Sequence, residues 1–133
     1  GAIAAKLVHP ERNIVAVTGD AGFMMNSQEI ETAMRCRLPI VILIWNDSSY
    51  GLIEWKQMNE FGRESHVRFN NPDFVKYAEA FGCRGYRVER TQDLPAILQE
   101  TLSNDTVSII DCPVDYRENI KLTEQMGNLV CPT

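Results

Sequence analysis

The amino-acid sequence predicts an α/β fold, a parallel sheet with helices on both faces, and three observations carry that expectation. Short β-branched runs ("IVAVT", "IVILIW", "VSIIDC") alternate with segments of helical period. The first two runs are apolar at nearly every position rather than every second one, as in strands buried on both faces. No internal linker interrupts the alternation, which suits a sheet built from crossover units.

Each element follows from local signals. Residues 2–8 read as the last turns of an amphipathic helix, stopped at His9-Pro10 because proline disfavours helix in the residue before it. Residues 14–18 form the first strand, and residues 19–25 ("GDAGFMM") read as loop. The next helix has a full set of start signals: Asn26 as cap, Glu29 as capping-box partner, and Met25 with Ile30 as hydrophobic staple. Ile30, Ala33 and Met34 supply its inward stripe, and Pro39 ends it. Residues 40–45 are the second strand. A short helix over 52–58 and an irregular polar stretch over 59–71 follow. Asn71 then caps a helix with Pro72 at its first position. Its core face is Phe74, Val75, Ala78 and Phe81, and Gly82 ends it. Residues 85–89 are a strand, 94–102 a helix and 107–112 the last strand.

At 133 residues the chain is long enough for a sizeable core, and 44% hydrophobic with 23% charged residues is a globular balance. A net charge of −5 without a Lys/Arg block argues against nucleic acid and acidic membrane surfaces as partners. The longest wholly apolar run, residues 39–45, is far short of a bilayer span, and the start resembles no signal or transit peptide. A cytoplasmic location is expected. Cys36, Cys83, Cys112 and Cys131 contain no CxxC pair and read as reduced thiols. The chain opens "GAIAAKLVHPE", mid-helix and without an initiator Met. The expectation is one domain over residues 1–133, a piece of a longer polypeptide truncated on its N-terminal side.

The chemistry sits in two acidic turns. "VTGDAGF" follows the first strand and "WNDSSYG" the second, so Asp20 and Asp47 lie 47 − 20 = 27 residues apart. If the strands are parallel, both turns open on the carboxyl edge of the sheet, where α/β proteins bind ligands. Two carboxylates beside small residues and a helix start suit a phosphate held with a divalent metal. Gly19, Ala21 and Gly22 let backbone approach a phosphate, with the helix beginning near Asn26 adding partial positive charge. Ordinary turn chemistry accounts for either loop alone.

The pair "GDAGF" and "ILIWND" resembles the diphosphate-and-metal motif of thiamine-diphosphate enzymes, Gly-Asp-Gly followed at similar spacing by Asn-Asn or a variant. The wider text "GDAGFMMNSQEIETAMR", "NDSSYGLIEWKQ", "NPDFVKYAEAFGCRGYRVE" and "VDYRENIKL" resembles the acetolactate synthases, nearest the catabolic, FAD-independent type. The resemblance implies that Asp20, Asp47 and the Ser49 carbonyl bind Mg²⁺, and that Gly19, Ala21 and Gly22 cradle the diphosphate of thiamine diphosphate. It places Tyr50, Gly51 and Leu52 along the cofactor, and Leu52, Ile53 and Trp55 toward the substrate, pyruvate or a related 2-keto acid. It implies a homo-oligomer, dimer or tetramer, whose catalytic glutamate comes from a partner domain. No catalytic residue is therefore expected in this chain, which alone should be inactive. Alternatives are another thiamine-diphosphate-dependent 2-keto-acid decarboxylase or carboligase, and a non-catalytic metal- or phosphate-binding α/β module.

Two positions depart from the family pattern. Ala21 replaces a glycine, harmless at negative φ but strained at positive φ. Asp47 replaces the more frequent asparagine and brings an extra negative charge. Elsewhere, Trp55 fits a core-edge cover or a substrate-pocket wall, and Tyr50 fits packing or cofactor contact. Glu29 reads as a cap, Glu54 and Glu60 as solvated, and His9 and His66 as surface residues. Arg35, Arg37, Arg84 and Arg87 read as helix ends and exposed strand positions, and Met24, Met25 and Met34 as core or loop packing.

Overall fold

The computed structural model describes residues 1–116; Cys131 and residues 117–122, the end of the "VDYRENIKL" stretch, lie outside them. In chain order the elements are α1 (Ala2–Val8), β1 (Val15–Gly19), α2 (Asp20–Met25), α3 (Glu29–Arg35), β2 (Val41–Asn46), α4 (Gly51–Phe61), α5 (Phe74–Ala80), β3 (Arg84–Arg87), α6 (Leu94–Leu102) and β4 (Ser108–Pro113). A short 3-10 turn, Thr91–Asp93, leads into α6. The four strands pair in the order β1-β2-β4-β3, and every pairing is parallel. In register, Val17 faces Leu43 and Leu43 faces Ile110, so β2 and β4 form the sheet's centre.

Strand alternation sorts side chains onto two faces. Ile42, Ile44 and Ile109 point to one face, where Phe23, Ile30, Ala33, Phe74 and Ala78 cover them from α2, α3 and α5. Val41, Leu43, Ile110 and Cys112 point to the other, against Leu94, Ile97, Leu98 and Leu102 on and beside α6. Helices thus pack on both faces, as the apolar runs required. The expectation fails at β1, where Val15 and Val17 are 41% and 58% exposed. Position in the sheet is the cause. β1 is an edge strand, and its Val15 and Val17 face lies beyond the residues that pack around α6.

Two helix starts also differ from the sequence reading. Residues 20–25 are helical rather than loop, because Phe23 is buried edge-on against Phe74 with ring centroids 5.5 Å apart. That burial outweighs the poor helix propensity of Gly22. Asn26 therefore ends α2 instead of capping α3; Gln28 occupies the cap of α3 without a side-chain hydrogen bond, and the capping box with Glu29 does not form. Likewise Asp73, not Asn71, caps α5, its Oδ1 accepting from the Val75 and Lys76 amides at 3.1 Å each. Met24 and Met25 are exposed, while Met34 packs against the core.

At Gly85 the backbones of α5 and β3 approach closely. A Cβ there would lie 2.7 Å from the Val75 carbonyl oxygen and 2.8 Å from its Cα, so only glycine lets α5 settle onto β3.

Candidate functional site

Parallel pairing of β1 with β2 brings both acidic turns to the carboxyl edge, and a hydrogen bond joins them. The Ser48 N–H donates to Asp20 Oδ2 at 2.7 Å. Ser48 itself is held at φ +57, a left-handed conformation that aims its amide back across the gap. Asp20 is 2% exposed and is the first residue of α2, so the helix start coincides with the motif rather than lying at Asn26. Its Oδ1 accepts the Ala21 N–H at 2.8 Å, and its Oδ2 also accepts Asn71 Nδ2 at 2.6 Å. A carboxylate offers about four acceptor positions, so three donors leave room for one more partner.

Asp47 is less well served. Its Oδ1 accepts the Ser49 N–H at 3.2 Å, and its Oδ2 lies against Gly51. Burial pushes its pKa above the usual carboxylate range, with the Asp20 and Glu54 charges adding to the shift and the Ser49 amide opposing it. Such a group is stabilised by any cation that reaches it. The phenol of Tyr116 is likewise pushed up, first by burial and then by Asp47 and Asp20, which places it in the same field. Tyr116 escaped the sequence reading because no local pattern ties it to the turns.

A strap secures the second turn. Ser49 pairs with Arg68 in an antiparallel bridge, flanked by Tyr50 N–H to Val67 carbonyl (2.9 Å) and Phe69 N–H to Ser48 carbonyl (3.1 Å). Ser49 Oγ donates to Glu54, and Arg68 pairs with both Glu54 and Glu64. Glu54 is thus a structural partner of the turn, not a solvated residue. Among the described residues, no hydrogen bond reaches the Ser49 carbonyl oxygen. Two carboxylates and a free carbonyl are hard oxygen donors of the sort that suit Mg²⁺.

The small residues behave differently from one another. A Cβ at Gly19 would meet nothing within 4 Å, so space above that backbone is open. At Gly22 it would meet Thr18 Oγ1 at 3.2 Å, and at Gly51 it would meet Asp47 Oδ2 at 2.8 Å. Ala21 is not among the positive-φ residues, so this departure from glycine carries no strain.

Further along, Tyr50 stacks at a tilt on Phe69, centroids 5.0 Å apart. Leu52 and Ile53 are exposed on the first turn of α4, and Trp55 is half-buried. No side chain of α4 is buried. Beside this edge a cavity of about 330 Å³ is lined by Ala21, Met24, Met25, Tyr50, Phe69 and Asn71 among others. Asn71, read from the sequence as a helix cap, is a second site residue whose role there was missed: its side chain turns to Asp20 and Asn46 instead. "NPDF" contains two residues able to cap, and only one can do so; the spare one was the signal.

Four parallel strands with helices on both faces and two acidic turns on the carboxyl edge are the architecture to be accounted for, and the chain belongs to the thiamine pyrophosphate enzyme family. The model of that family's C-terminal TPP binding domain matches residues 1–112. Within the family the chain is similar to acetolactate synthases. It is 43% identical to the acetolactate synthase of Bacillus subtilis (strain 168), over 97% of this chain and 24% of the relative. It is 40% identical to the catabolic acetolactate synthase of Raoultella terrigena, over 94% of this chain and 22% of the relative. A solved structure, the thiamine diphosphate-dependent 4-hydroxybenzoylformate decarboxylase of Rhodococcus jostii RHA1, superposes with a TM-score of 0.80 at 25% identity, covering 88% of this chain and 22% of that one. The chain spans less than a quarter of the length of these relatives.

Proposed function

We propose that this chain is the diphosphate-and-metal-binding part of an acetolactate synthase, a single domain of a longer polypeptide. In this reading Asp20, Asp47 and the Ser49 carbonyl hold Mg²⁺, and the backbone of Gly19, Ala21 and Gly22 receives the diphosphate. Tyr50, Gly51 and Leu52 run along the cofactor, with Ile53 and Trp55 toward the substrate. The observation that carries the reading is the Ser48 amide bound to Asp20, which makes two distant turns one site. The donor set agrees with it: oxygen ligands only, one carboxylate raised in pKa, and open space over Gly19.

Thiamine diphosphate, when bound, supplies the carbanion chemistry that decarboxylates pyruvate and joins the two-carbon unit to a second pyruvate, giving 2-acetolactate. The residues of this chain anchor and orient. Asp20 is fixed by three donors, so its free acceptor position points one way. Asp47 stays close to Asp20 at the expense of their mutual repulsion, which a divalent cation cancels. Neither residue moves a proton in the reaction. The catalytic glutamate belongs to a partner domain of a cytoplasmic homo-oligomer, and the 133-residue chain alone turns over nothing.

Calorimetric titration of the full-length protein with thiamine diphosphate and Mg²⁺ tests the roles. Asp20→Ala is expected to abolish binding, whereas Asp47→Asn retains it. The reverse order refutes the assignment, and no binding by the unmodified protein favours a non-catalytic module. Release of CO₂ from pyruvate without 2-acetolactate points instead to a 2-keto-acid decarboxylase.

A further inference from the structure

A chain of hydrogen bonds crosses the sheet and ends on Asp20. Arg87 on β3 donates from a terminal guanidinium nitrogen to Asp111 Oδ2 at 2.6 Å. Asp111 lies on β4 and is 1% exposed. Its Oδ1 accepts Asn46 Nδ2 at 2.9 Å from β2. Asn46 Oδ1 in turn accepts Asn71 Nδ2 at 2.9 Å, and the same Nδ2 donates to Asp20 Oδ2 at 2.6 Å. The Ser48 hydroxyl joins weakly, 3.4 Å from both Asn46 Oδ1 and Asn71 Nδ2.

The order of atoms is forced. Arg87 can only donate, so Asp111 stays an acceptor, and an acceptor obliges Asn46 to present its NH₂. The Asn46 oxygen then faces Asn71, which must offer its NH₂ as well. Both Asn71 hydrogens are committed, one to Asn46 and one to Asp20. Neither amide can flip without setting acceptor against acceptor or leaving Asp111 short of a donor.

We propose that Asn71 is a positioning residue for the metal ligand Asp20, and that Asn46 and the Arg87–Asp111 pair set its orientation from the far strand. The inference rests on the reading of Asp20 as a Mg²⁺ ligand. Partners of this type hold a ligand's carboxylate in one rotamer, and losing them weakens metal binding by about 10- to 100-fold.

The test uses the full-length protein with Mg²⁺ in saturating thiamine diphosphate, read by calorimetry, and with Mn²⁺ as a paramagnetic probe. Asn71→Ala should weaken Mg²⁺ binding by about 10- to 100-fold and alter the bound Mn²⁺ spectrum. Asn71→Gln, which keeps the NH₂ group, should recover part of the affinity. Asp111→Asn frees Asn46 to flip, so it should weaken Mg²⁺ in the same sense, and its effect should not add to that of Asn71→Ala. Metal-free melting temperatures separate a structural role, which would fall without any change in Mg²⁺ affinity. Unchanged Mg²⁺ affinity and Mn²⁺ spectrum in Asn71→Ala, or strictly additive effects, overturn the proposal. Failure of the unmodified protein to bind Mg²⁺ at all would instead overturn the metal reading on which it stands.

Discussion

Gly51→Ala separates the demands of the fold from those of the site. Gly51 opens α4 and does not have positive φ, so alanine suits its backbone and improves helix propensity by up to about 1 kcal/mol. The added Cβ, however, would stand 2.8 Å from Asp47 Oδ2, where ordinary contact begins at 3.4 Å. The carboxylate must retreat by 3.4 − 2.8 = 0.6 Å. A side-chain end can make that move cheaply, which is why the fold tolerates it. If Asp47 is a Mg²⁺ ligand, as proposed, the metal cannot follow, because its bonds of about 2.0–2.1 Å demand near-ideal octahedral geometry. The full-length variant should therefore match or exceed the parent in metal-free denaturant unfolding, yet bind Mg²⁺ about 10- to 100-fold more weakly by calorimetry. In an Asp47→Ala background the same substitution should change Mg²⁺ affinity no further. Parent-like affinity in Gly51→Ala, or a loss that persists without the Asp47 carboxylate, would refute the reasoning.

Gly85→Ala drives a Cβ into Val75 backbone that no rotamer can clear, so unfolding should show a loss of about 1–3 kcal/mol; parent-like stability would mean α5 sits farther from β3. Because Asp47 has a raised native pKa, its contribution to metal-free stability is complete below the ordinary carboxylate range and is lost as pH rises through that range to the raised value. Asp47→Asn should flatten that fall and leave the metal-free protein at least as stable at neutral pH; a steeper fall in the variant contradicts the sign. Burial pushes the Cys83 and Cys112 thiols up to about 11, whereas Cys36 is exposed, so mass-mapped alkylation of the native protein should mark Cys36 well before either buried thiol.

Much of the architecture was legible because parallel strands announce themselves as unbroken apolar runs, and "IVILIW" lies in the centre of the sheet. "IVAVT" reads the same way but forms an edge, since lateral order depends on contacts between segments far apart in sequence. Local competition defeated other readings. "GDAGFMM" looks like a turn until Phe23 meets Phe74, and Asn71 and Asp73 are equally good caps until one is drawn to Asp20. The two carboxylates were readable from spacing and parallel topology together. Their supports were not, because Asn71 is 51 residues from Asp20 and Arg68 is 14 from Glu54.

The outer rim of β1 has a practical consequence. Its residues, Val-Ala-Val-Thr-Gly, include no lysine, proline or bulge, the usual guards against intermolecular strand addition. Expressed by itself, a chain with such a rim is a template for its own copies and should accumulate as insoluble β-rich aggregate. Replacing Val17 with lysine would be the simplest way to keep it in solution for spectroscopy.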